Sequence, residues 1–222
     1  MPRTFDDARR WTRLGTELFL EAAGLEGDSA LPGWSRRQLV AHVAANAGAL
    51  GNLVHWAATG EPTPMYSSPE ERAAGTENGA RLPEAELLAW LRRSADTLAT
   101  GMDDLTDGRW RAEVVTAQGR TVPATELPWM RAREVCVHAV DLANGVSFTD
   151  LPADFLTALC DDVVAKRAAA PGPAVSLRTP NAAWELPGSG ETALVTGELP
   201  TIAAYLTGRG AVPAAPTLGA WL

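Results

Sequence analysis

Apolar residues fall at helical intervals over most of the first two thirds of the chain. Leu14, Leu18 and Ala22 recur every fourth position with Trp11 one turn ahead, which predicts a helix over Asp6 to Leu25. After the loop "GDSALPGWS", Ser35 has the character of an N-cap, and a second helix is expected from there to about Thr59, ended by Gly60. Glu61 to Leu82 sustains no period and reads as a long loop, with Ser68-Pro69-Glu70-Glu71 marking a short helical turn inside it. Pro83 opens a third helix, whose apolar face is Leu87, Leu88, Leu91 and Leu98. "RAEVVTAQGRTVPA" reads as a small hairpin turning near Gln118-Gly119. A further helix is expected from about Thr125 to Ala143, closed by Asn144-Gly145.

The texture changes after Gly145. A helix over about Pro152 to Arg167 precedes the Pro/Gly break "APGPA". Then "AVSLRTP", "AAWELPG" and "TALVTGE" read as three short strands with turn residues between them, followed by a helix over Pro200 to Leu206 and an irregular tail. The pattern predicts a mainly α protein: four helices over residues 1–147, then a smaller α+β domain over 148–222, with no internal repeat.

Composition narrows the functions. The chain has 222 residues, 46% of them hydrophobic, enough for a real core. Its 19 basic and 27 acidic side chains give a formal net charge of −8, which argues against a protein that grips nucleic acid through bulk positive charge. No apolar run approaches the roughly 20 residues that span a bilayer, and the charged start "MPRTFDDARRW" lacks the apolar stretch of a signal peptide. Cys136 and Cys160 sit in no paired motif. A cytoplasmic, reduced protein is expected, without nucleic-acid or membrane partners.

The candidate chemistry sits on two of the helices. "MRAREVCVHAVDL" places Glu134 and His138 one turn apart, on one helix face, among Val, Cys, Ala and Leu. Of the other two histidines, His42 and His55 are thirteen steps apart, which at about 100° per residue puts them on different faces of the second helix. His42 instead shares a face with Asn46 in an otherwise apolar segment. His42 from one helix and Glu134 with His138 from another make a His2Glu set with a fourth position open, the composition of a catalytic zinc site. The plainer alternative is a surface hydrogen bond, the usual meaning of a Glu-x-x-x-His pair. Asp141, three residues after His138, is placed either to orient its ring or to face solvent. Cys136 is read as packing.

The stretches "LVAHVAANAGALGNLVHWAATGEPTPMY", "TAQGRTVPA" and "WMRAREVCVHAVDL" closely resemble the mycothiol-dependent maleylpyruvate isomerase family, densely from Leu14 to Leu142 and more thinly beyond, at "YLTGRG" and the terminal "WL". The resemblance implies a DinB-like metal-binding four-helix bundle followed by the small α+β domain. It implies a divalent metal, zinc by preference, on His42, Glu134 and His138, with mycothiol as thiol cofactor and a role in gentisate breakdown. It also implies a functional arginine, matched here by Arg209, whose guanidinium suits a substrate carboxylate; a solvated turn arginine is the alternative. Arg120 in the hairpin turn and Tyr66 in the long loop are the candidate contacts to the thiol, Arg120 being also a second candidate for stabilising an enolate; Tyr66 otherwise simply packs. The partners implied are a small dicarboxylate and a low-molecular-weight thiol. Two rival functions share the same residues: a mycothiol S-transferase acting on another electrophile, and a non-catalytic, metal-stabilised binding module.

Overall fold

A computed structural model describes residues 3–219 and 221. The chain divides into two compact units, Thr4–Val146 and a second that begins at Ser147.

The first unit begins with α1 (Phe5–Ala22), entered through a capping box in which Thr4 accepts from the Asp7 backbone and Asp7 returns the bond. α1 buries Ala8, Trp11, Gly15, Phe19 and Ala22. The expected stripe of Leu14 and Leu18 is only half-buried, because the helix that carries Cys136 approaches α1 so closely that a glycine occupies the seam. A Cβ at Gly15 would lie 2.4 Å from Cys136 Sγ and 2.7 Å from Val135 Cγ2. α2 (Arg36–Thr59) starts at Ser35, again with a capping box, here to Gln38, and stops at Gly60 in the left-handed conformation, φ 84°.

The region after Gly60 departs from expectation. The long loop contains not one turn but a twelve-residue helix, α3 (Pro69–Ala80), capped by Ser68 with Pro69 in its first turn. It has no large apolar side chain to announce it. It is held by packing at a small residue: a Cβ at Gly79 would sit 2.4 Å from Trp90 and 3.0 Å from Ala41. α4 (Glu84–Asp103) then buries Leu87, Leu91, Ala95, Leu98 and Met102. A four-residue helix, α5 (Asp107–Trp110), leads into the hairpin of β1 (Glu113–Val115) and β2 (Thr121–Pro123), in antiparallel register with Val114 opposite Val122. One 3₁₀ turn, Ala124–Glu126, precedes α6 (Leu127–Asp141). α6 ends two residues short of the expected Ala143, which itself adopts φ 51°.

In this unit α1 packs on α6, and α2 packs on α3, α4 and α6. The core between them is apolar, with Leu50, Leu53, Leu98, Met102 and Leu127 nearly solvent-free. Arg36, at the first turn of α2, donates to the carbonyls of Leu142 (2.7 Å) and Ala143 (2.7 Å), tying the start of α2 to the end of α6.

The second unit contains α7 (Ala153–Ala168), β3 (Pro173–Arg178), β4 (Ala183–Leu186), β5 (Ser189–Thr196) and α8 (Leu199–Leu206). The sheet order is β4-β3-β5, with β4 antiparallel and β5 parallel to the central β3. Trp184 Nε1 on β4 donates to Asp161 on α7 at 2.6 Å, and Arg167 on α7 donates to the Leu206 carbonyl at the end of α8 at 2.9 Å. The protein is mainly α with an α+β C-terminal part. No helix among the described residues is long and apolar enough to cross a membrane.

Candidate metal centre

His42 lies on the buried face of α2 because the residues around it, Leu39, Val40, Ala41, Val43 and Ala44, are themselves solvent-free. Glu134 and His138 are one turn apart on α6, amid buried Val135, Cys136 and Val137. The two helices bring one ligand atom from each of the three residues within 4.8 Å of one another. His42 Nε2 is 2.8 Å from Glu134 Oε1, and His138 Nε2 is 3.5 Å from the same oxygen. The two imidazole rings stand edge to face, centroids 5.5 Å apart, and Trp34 meets His42 from another side at 5.5 Å. His55 is exposed on α2.

One contact orients the ring of His138. His138 Nδ1 lies 2.8 Å from Oδ2 of Asp141, which is fully buried. A carboxylate only accepts, so Nδ1 carries a proton, and in the neutral ring Nε2 is the nitrogen left to bind a cation. Glu134 Oε1 is shut off from solvent, beside the Nε2 atoms of both histidines. A buried carboxylate is costly unless it is paired; two imidazole nitrogens and a carboxylate oxygen converging on one buried point form a set that a cation can bind. The donor set, two imidazoles and one carboxylate, fits zinc with a position to spare.

Burial by itself pushes the Glu134 carboxyl up, but His138, His42 and Arg131 outweigh it and hold the group at about 2, ionised at neutral pH. Arg131 is a residue the sequence reading missed. It sits three positions before Glu134 on α6, is 1% exposed, and donates to the Val43 carbonyl at 2.9 Å and to Asn46 Oδ1 at 3.0 Å, both on α2. Burial brings its guanidinium down to about 10, with the Glu134 charge opposing the fall. Its i,i+3 spacing to Glu134 was the available signal.

Tyr66 is half-buried between the core and Arg72, whose guanidinium lies 5.7 Å from the ring centroid. Its hydroxyl feels the charges of both Glu134 and Arg131, and burial raises its pKa, so it stays protonated. Arg120 is exposed on the hairpin turn, where its backbone N–H donates to Thr116 Oγ1 at 3.3 Å. Arg209 belongs to the second unit. It follows Gly208 just past α8, donates to the Thr207 carbonyl at 2.7 Å, and lies 5.7 Å from the Trp221 ring centroid. Both cysteines are buried. Desolvation pushes the Cys136 thiol far above its ordinary value and the Cys160 thiol up to about 12.

A profile of the mycothiol maleylpyruvate isomerase N-terminal domain matches residues 6–143. Two crystal structures resemble the whole chain, one described as the mycothiol-dependent maleylpyruvate isomerase and the other as a histidine-to-alanine mutant of it. Each is 36% identical, with 97% of this chain and 98% of that chain covered and a TM-score of 0.87. No curated protein matches. With the profile spanning most of the first unit and the likeness running nearly end to end, the chain belongs to the mycothiol maleylpyruvate isomerase family.

Proposed function

We propose that the chain catalyses the mycothiol-dependent cis–trans isomerisation of maleylpyruvate to fumarylpyruvate, a step of gentisate breakdown, with zinc or another divalent metal held by His42, Glu134 and His138. The observation that carries this reading is the approach of the three ligand atoms to within 4.8 Å around the buried Glu134 oxygen. Family membership supports it.

A metal held by His42, Glu134 and His138 would supply a Lewis acid beside which a thiol is ionised at neutral pH. Bound mycothiol would supply the nucleophile for reversible addition to, and elimination from, the conjugated double bond. The side chains of the protein do the rest. Asp141 keeps the His138 proton on Nδ1 and so keeps Nε2 available. Arg131 favours the ionised form of Glu134. Tyr66, protonated at neutral pH, offers the thiol cofactor a hydrogen-bond donor, and Arg120 a second contact. Arg209 is assigned to a carboxylate of the dianionic substrate, where a guanidinium binds two oxygens at once. The thiols of Cys136 and Cys160 stay protonated, so the nucleophile comes from outside the chain.

The test is turnover of maleylpyruvate with and without mycothiol, before and after a chelator strips the metal. Isomerisation that needs both supports the proposal. Equal rates without the thiol would sink it. Thiol conjugation to other electrophiles without isomerisation would make the chain an S-transferase, and zinc binding with neither reaction would make it a binding module.

A further inference from the structure

Arg131 is a large cation buried at 1% exposure, and burying a guanidinium is expensive unless its hydrogen bonds are placed to advantage. Its two recorded acceptors are both on α2, and both border His42. Val43 is the next residue, and its carbonyl already serves a helical position; Asn46 is one turn on. On its own helix, Arg131 is one turn before Glu134. One side chain thus joins α2 and α6 beside the place where the ligand atoms of those helices meet.

The faces of these helices near the trio are rich in alanine, with Ala41, Ala44, Ala47, Ala132 and Ala139 buried. Small side chains interdigitate little, so they leave the sliding of one helix along another weakly specified. A metal site does not tolerate sliding: zinc–nitrogen bonds are about 2.0–2.1 Å long, and functional geometry is held to within about 0.5 Å. Arg36 anchors α2 to α6 at one end of this stretch. Arg131 is the corresponding directional tie on the other side of His42.

We infer that the Arg131–Asn46 pair is a positioning device: it sets the register of α2 on α6 and thereby the fit of His42 to the cation shared with Glu134 and His138. This rests on the metal reading proposed above. The inference has a sign that separates it from plain electrostatics. Next to a dication the positive charge of Arg131 is repulsive, so its removal by charge alone would tighten zinc binding. Loss of a register clamp weakens it.

The experiment measures zinc affinity by competition with a chromophoric chelator, and the visible spectrum of the cobalt-substituted chain, for wild type, Asn46→Ala, Arg131→Lys and Arg131→Met. The thermal midpoint of each metal-free chain is recorded alongside. Asn46→Ala keeps the arginine charge, and lysine keeps charge on a shorter stem without the fixed donor directions of a planar guanidinium. Both are expected to weaken zinc binding by about 10- to 100-fold, as loss of an outer partner does, and to alter the cobalt bands. Asn46→Ala carries the test alone should an Arg131 variant not fold. Variants that melt lower but keep wild-type zinc affinity and cobalt spectrum would reduce Arg131 to a structural tie and overturn the inference. So would an Arg131→Met chain that binds zinc more tightly. A wild-type chain with no zinc affinity would remove the metal reading itself, and the inference with it.

Discussion

His138 is held at Nδ1 by a carboxylate with no exposure to water, while its Nε2 faces the oxygen of Glu134. Asp141→Asn replaces an obligate acceptor by an amide that can also donate, so the ring tautomer is no longer enforced. Zinc affinity measured by competition titration is expected to fall about 10- to 100-fold; an unchanged value would show that Asp141 merely packs. Glu134 gives a pH signature in the metal-free chain. Its folded value of about 2 lies below the ordinary 4.5, so the unfolded chain takes up this proton first as pH drops. The stabilisation is complete above the ordinary value and is lost as pH falls through the folded one. Urea midpoints between pH 6 and 3 are expected to decline more for wild type than for Glu134→Gln. His42, Glu134 and His138 were legible because each is polar on an apolar background. Arg131 was not. In "MRAR" it resembles Arg133, an ordinary charged neighbour; its i,i+3 spacing to Glu134 was a weak signal, and the carbonyl of Val43 and the amide of Asn46, 88 and 85 residues away, are what set it apart.

Helices whose ends carry chemistry were easiest to read. Ser35 and Gly60 bracket α2 in both sequence and structure, because a cap states a boundary locally. α3 hid in a presumed loop because its twelve residues hold no large apolar side chain; its reason for being helical is Gly79 against Trp90, a contact made only after folding. The face of α1 was misplaced by one position for the same kind of reason, since the closeness of α6 makes Gly15 a core residue. That closeness predicts the outcome of Gly15→Ala. In an open helix the change gains up to about 1 kcal/mol. Here the new methyl meets Cys136 Sγ and Val135, and overpacking of about 1–3 kcal/mol is expected to win. A thermal midpoint below wild type checks it; an increase would mean that α1 moves away at little cost.

For the whole molecule, the sequence changes texture after Gly145, and residues 4–146 cluster apart from those from Ser147 on. The order β4-β3-β5 was beyond reach: alternation identifies strands but not which of them pair across the sheet. Zinc bound as proposed would join helices more than 80 residues apart in sequence and favour only the folded chain. Free zinc at a hundred times its dissociation constant therefore adds about 2.7 kcal/mol, a rise of roughly 5–10 °C in thermal midpoint. Glu134→Gln should abolish most of that rise. The burial of both thiols has a consequence of its own. A catalyst working on activated olefins is at risk of being alkylated by them, and sulfur is the atom they would attack. This chain keeps its own sulfur under cover and protonated, which puts both atoms out of reach of such an electrophile in the folded state. Iodoacetamide should accordingly leave the native protein unlabelled over the time in which it caps both cysteines of the unfolded one.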